Sequence, residues 1–180
     1  MVDRAALLTM TPGALRGLLA EGHPIDPTRL DNTAYRGISL GLPRWVERLS
    51  WKTFQKTFYR DPSTGHLRGW NVRVVQRGLD APSAPRLRAG RPFTFGHYRV
   101  TAPDPARAPR GFDRGLVIDY GLAPHPRFDL GALLRDPIVA LDPGSVDRLL
   151  GASFVALGAH HLATPSFFLL EREGPIGFVP

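Results

Sequence analysis

The sequence predicts a mainly β protein: an antiparallel up-and-down barrel of about eight strands, with an N-terminal helix and a short helix after the first strand. Three observations predict it. Strand-like segments follow one another from Thr33 to Arg172 with turn residues between them. The alternating βα spacing of a parallel sheet is absent. Closing such a set into a barrel also removes the two sheet edges, which would otherwise invite pairing with other chains.

The N-terminal segment holds the first helix. Thr11 suits the N-cap and Pro12 the first helical position, while Leu15, Leu18 and Leu19 form an apolar stripe. Gly22 and Pro24 stop it. Strands are expected over 34–40, 51–60, 66–77, 93–100, 115–122, 137–141, 152–157 and 166–172. Asp61-Pro62-Ser63-Thr64-Gly65 reads as a hairpin loop, and Asp142-Pro143-Gly144-Ser145 as a second turn. Residues 78–92 and 102–111 are loops rich in proline and arginine. Residues 43–49 read as the short helix after the first strand, and 145–150 as another with Ser145 at its N-cap. His160 and His161 fall in a turn before Pro165. The chain thus divides into a helix and loop (1–32), the barrel (33–173) and a tail (174–180), all within a single domain.

Composition narrows the chemistry. Of 180 residues, 43% are hydrophobic and 22% charged, enough for a core without staples. The chain has no cysteine, which excludes disulfides, thiolate metal sites and cysteine nucleophiles. No apolar run approaches the roughly 20 residues of a membrane helix, and the first residues lack a secretory pattern. A cytoplasmic protein is the expectation. The net charge is +7, and Lys52 and Lys56 are the only lysines. That arginine bias, with abundant alanine, glycine and proline, matches what a GC-rich bacterial genome imposes. Acidic residues outnumber basic ones only after residue 120, so the first two thirds can attract anions.

The strand number and order, the early helix and the run Ala34-Tyr35-Arg36-Gly37 together resemble the calycin group, the lipocalin-like and fatty-acid-binding-protein-like barrels. The run is similar to the Gly-x-Trp of lipocalins and the Trp-x-Gly of related bacterial barrels. It differs in having tyrosine for tryptophan and no leading glycine. The resemblance covers residues 33–172 and implies an interior that takes a small apolar molecule. In fatty-acid-binding barrels a carboxylate head rests on interior arginine and tyrosine. Arg73, Arg99 and Tyr98 or Tyr120 stand where this chain would supply them.

Side chains alternate along a strand, so each strand offers two faces. In one register Trp70, Val72, Val74, Tyr98, Leu116, Ile118 and Tyr120 fill the barrel. In the other, Asn71, Arg73, Phe95, His97, Arg99 and Asp119 line a cavity with apolar depth and a polar end, as ligand sites often have. The leading expectation is binding of a small, mainly apolar or amphipathic ligand, with an anionic head on that second set and no cofactor. The alternative is an isomerase, lyase or cyclase in which His97 and Asp119 act as an acid–base pair. A structural or protein-binding module with a filled barrel is the third.

Other motifs carry less. Gly37-Ile38-Ser39-Leu40-Gly41 has the Gly-x-Ser-x-Gly form of a nucleophile elbow, but the parallel sheet that elbow needs is missing. None of the six histidines has metal-ligand spacing, so no metal is expected. Lys52, Lys56 and Arg60 share a strand face with Phe54 and Phe58. Such a face can stack bases, but its plainer reading is a solvated surface, and the absence of a basic block argues against nucleic acid.

Overall fold

The computed structural model describes residues 2–41, 52–125, 130–158 and 160–180. Helices α1 (Arg4–Thr9) and α2 (Pro12–Glu21) lead into a 3-10 turn at Pro27–Leu30. The strands are β1 (Thr33–Leu40), β2 (Thr53–Arg60), β3 (Leu67–Val72), β4 (Leu87–Arg88), β5 (Arg91–Pro92), β6 (Thr94–Thr101), β7 (Leu116–Asp119), β8 (Leu134–Ala140), β9 (Arg148–Leu157) and β10 (His160–Gly174). Eight of them close into a barrel in the order β1-β10-β9-β8-β7-β6-β3-β2. Every neighbouring pair is antiparallel. β4 and β5 form a separate ribbon on the 78–92 connection. The predicted mainly β barrel with an N-terminal helix is therefore the observed fold, and this closed antiparallel architecture is compatible with a calycin-like one.

Local chemistry explains the punctuation. The Thr11 hydroxyl accepts from the Ala14 amide at 3.3 Å, Pro12 opens α2 and Gly22 ends it. Asp3 caps α1 in the same way, accepting from Ala6 at 2.7 Å. In the hairpin loop after β2, Asp61 accepts from the Ser63 amide at 2.9 Å, and Gly65 takes a positive φ of 70°.

Two local expectations fall differently, and a third is untested. The helix expected at 43–49 lies outside the described residues, as does Trp51. Residues 145–150 are not helical: Ser145 accepts from the Asp147 amide at 3.1 Å, and that tight turn leads straight into β9. His160 and His161 begin β10, paired with Leu157 and Ala156 across the hairpin. The N-terminal helices lie on the outer wall of the barrel. There Leu7, Leu15 and Leu19 pack with Ile38, Val139, Leu150, Phe167 and Leu169. Fully burying one leucine such as Leu7 or Leu15 contributes about 1.5–3 kcal/mol.

Among the described residues, the interior is filled at one end only. Ile25 and Leu30 enter the end where β1 begins and join Tyr35, Phe58, Leu67, Tyr98, Leu116, Ile138, Leu149 and Leu170 in one buried cluster. Tyr35 fixes that plug by donating its hydroxyl to the Val146 carbonyl at 2.8 Å. Gly69 leaves room for the Tyr98 ring, whose hydroxyl donates to the Thr57 carbonyl at 2.7 Å. Toward the opposite end the same strands turn smaller or polar side chains inward, and there the barrel holds a cavity.

Candidate functional site

The cavity is about 500 Å³. Phe54, Phe95, Leu134 and Phe168 form its apolar wall, with Ser39, Ser153 and Ser166 among them. At its inner limit sit four polar side chains from four strands or their ends: Lys56 from β2, Asn71 from β3, Asp136 from β8, and Tyr120 just after β7.

Strand periodicity places each of them. In β2, Phe54, Lys56 and Phe58 alternate inward. Asp136 shares the inward face of β8 with Leu134 and Ile138, and Tyr120 continues the face of Leu116 and Ile118. In β6 the pattern is broken by a bulge. Tyr98 opposes Gly69 but Phe95 opposes Asn71, so Gly96 and His97 together face Trp70. Gly96 takes φ 51°, and a Cβ there would lie 2.8 Å from Asn71 Nδ2. The bulge turns both Phe95 and Tyr98 into the barrel and puts His97 on the other face.

The polar groups form a closed hydrogen-bonded cluster. Lys56 Nζ donates to Asn71 Oδ1 at 3.0 Å and to Tyr120 OH at 2.5 Å, and lies 3.5 Å from Asp136 Oδ2. Tyr120 donates to Asp136 Oδ2 at 3.1 Å, and Asn71 Nδ2 donates to the Gly96 carbonyl at 3.2 Å. Aromatic rings surround the ammonium, with the centroids of Tyr98, Tyr120, Phe168 and Phe54 at 4.9, 5.1, 5.2 and 5.8 Å. Among the described residues Asp136 Oδ1 is buried without a hydrogen-bond partner of ordinary geometry, and the Ser153 hydroxyl beside the carboxylate favours its ionised form.

Burial governs the electrostatics. It pushes Lys56 below the ordinary lysine value, and Asp136 opposes that shift. It pushes Asp136 above the usual carboxylate range, and Lys56 opposes that. Burial also raises Tyr98 and Tyr120 well above the ordinary phenol value. The site is therefore an apolar room with one charge-balanced, polarisable wall. It can hydrogen-bond a polar head, and it holds a primary amine out of bulk water.

Of the residues singled out from the sequence, Asn71 and Phe95 line this cavity. His97, Arg99 and Asp119 lie on the opposite strand face, and Arg73 lies beyond the end of β3. Arg73 sits with its guanidinium 5.9 Å from the Phe93 ring. His97 stacks obliquely on Trp70 and lines an outer groove with Arg68 and Arg99. Burial, and secondarily Arg68, lowers its pKa. Asp119 is fully buried, ion-paired to Arg107 at 2.9 Å and Arg135 at 3.0 Å, and it accepts from the Gly121 amide. Its carboxylate is thus committed to two arginines. Ser39, the serine of the elbow-like motif, lies within β1 and faces the cavity.

Lys56 and Asp136 are the residues that sequence reasoning passes over. The face with Lys52, Lys56 and Arg60 reads as solvated, yet Lys56 is 2% exposed and lies between two inward phenylalanines. The signal is present in Phe54-x-Lys56-x-Phe58, an apolar face with one charge at its middle. Proline is expected at a strand's first residue, which starts β8 at Pro137 and leaves Asp136 in a loop. The strand in fact begins at Leu134.

Among the described residues no group of acidic or histidine side chains is arranged to hold a metal. No helix among them is long and apolar enough to cross a membrane. Compared with known proteins, the chain matches no family model, no curated protein and no solved structure.

Proposed function

We propose that the protein binds a small, mainly apolar molecule in the open half of its barrel, with a neutral polar head against Lys56, Asn71, Tyr120 and Asp136. The observation that carries this reading is the cavity itself: about 500 Å³, walled by three phenylalanines and a leucine with three serines among them, and with its charged groups gathered at one end. Concave, mainly apolar sites with a few convergent polar groups are the usual form of small-ligand pockets. The likeness to lipocalin-like and fatty-acid-binding-protein-like barrels supports the reading at the level of architecture alone.

The charge balance supports a neutral head over the anionic one expected from the sequence. Lys56 is already offset by Asp136, and Arg73 and Arg99 do not line the cavity. Among the described residues lining the cavity, an anion would therefore meet a buried carboxylate without a spare cation.

The test uses the fluorescent, neutral probe N-phenylnaphthylamine, displaced by decanol, decanal or decanoate. These share one chain and differ in the head. Decanol and decanal are expected to displace the probe at lower concentration than decanoate. Leu134→Trp, which puts an indole into the cavity, should weaken probe binding, whereas His97→Gln and Arg99→Ala should leave it unchanged. A folded protein that takes up no probe would overturn the reading.

A further inference from the structure

Lys56 has the surroundings of a chemical group as well as those of a hydrogen-bond donor. Its amine faces the cavity, and a carboxylate and a phenol lie within 3.5 Å. Asp136 lines the same space, with Oδ1 buried and, among the described residues, without a hydrogen-bond partner of ordinary geometry. A lysine amine in an apolar pocket is one of the standard nucleophiles toward carbonyl compounds.

We propose that Lys56 holds an aldehyde or ketone ligand as a reversible imine, with Asp136 and Tyr120 moving the protons. This deepens the cavity reading above and rests on it. Lys56 first passes one ammonium proton to Asp136. The freed lone pair on Nζ attacks the carbonyl carbon, and the C=O π pair moves onto oxygen. A proton passes from nitrogen to that oxygen through the Tyr120 hydroxyl, giving a carbinolamine. The hydroxyl group then leaves as water, taking the proton held by Asp136, while the nitrogen lone pair forms the C=N bond. One carbonyl compound and one ammonium become one protonated imine and one water, with no redox change. The product keeps its positive charge opposite the Asp136 carboxylate, so the ion pair survives the reaction. Burial favours the neutral amine that begins the sequence, and the apolar wall excludes much of the water that would reverse it.

The chain has one other lysine, Lys52, and it serves with the N-terminal amine as an internal control. The full chain is incubated with decanal and cyanoborohydride, which delivers hydride to an imine carbon and leaves a stable secondary amine. Intact mass and peptide mapping then locate the decyl group. The expected result is a single adduct on Lys56, formed at least about tenfold faster than on Lys52 and suppressed by saturating decanol. Lys56→Arg should lose it. Should that variant fail to fold, the paired variant Lys56→Met with Asp136→Leu, in which both buried charges leave together, should keep a cooperative unfolding transition and lose the adduct. Labelling confined to Lys52 and the N-terminus, with decanal still displacing the probe, would overturn the imine and leave the cavity reading standing. No probe binding and no Lys56 adduct would overturn both. An adduct on Lys56 that decanol does not suppress would overturn the cavity as the place where the amine reacts.

Discussion

Lys56 Nζ and Asp136 Oδ2 lie 3.5 Å apart across the full width of the barrel, for β2 and β8 are four strands from each other in either direction around the ring. Both side chains are nearly closed to solvent, at 2% and 3% exposure. Each charge is tolerable only because of the other.

Breaking that pair from one side should therefore cost more than removing it whole. Lys56→Met leaves a buried carboxylate with its tyrosine and serine neighbours but no cation, and a loss of about 3–5 kcal/mol is expected. Asp136→Leu strands the ammonium and should cost a similar amount. The double variant should lie close to the native protein, because apolar groups of similar volume often replace a buried pair without loss. Chemical denaturation of all four proteins measures the coupling. Single variants as stable as the native chain would mean that the pair carries no charge in the folded state.

His97 supplies a pH dependence whose sign follows from its surroundings. Burial, and then Arg68, lowers its pKa from 6.5 in the folded protein. Below about pH 6.5 the unfolded chain therefore binds more protons at this residue than the folded one, so stability rises with pH there. The contribution is fully present above the unfolded value and is lost as pH falls through the folded value. Denaturation midpoints between about pH 7 and about pH 5 should fall less in His97→Gln than in the native chain. Equal falls would show that this imidazole titrates normally.

Two glycines should respond to alanine in opposite directions. At Gly69 a Cβ would stand 1.9 Å from the Thr57 carbonyl oxygen and 2.5 Å from the Tyr98 ring, so a backbone atom and the core ring must both yield. Gly69→Ala should cost about 3 kcal/mol or more. Gly17 lies inside α2, where a Cβ would meet open space, and Gly17→Ala should stabilise by about 0.5–1 kcal/mol. Thermal unfolding of the two variants checks both. A tolerated Gly69→Ala would mean that β2 and β3 separate more easily than their packing implies.

What the sequence determined by itself was local: eight strand segments in order, the Asp61–Gly65 turn and the Thr11–Pro12 start of α2. Turn residues, caps and period-two alternation act over a few neighbouring positions, so they can be read without a fold. Tertiary structure alone decided which faces look inward. Ring closure turned the Lys56 face of β2 into the barrel, although its outer members Lys52 and Arg60 suggested water. The bulge at Gly96 reversed the alternation of β6, separating Phe95 from His97. β8 ran back through Pro137 to carry Asp136 inside. A one-residue slip exchanges the two faces of a strand, and the choice between them is made by partners distant in sequence. The site is assembled by that choice, which is why the pairing of its lysine with its aspartate emerges only once the barrel has closed.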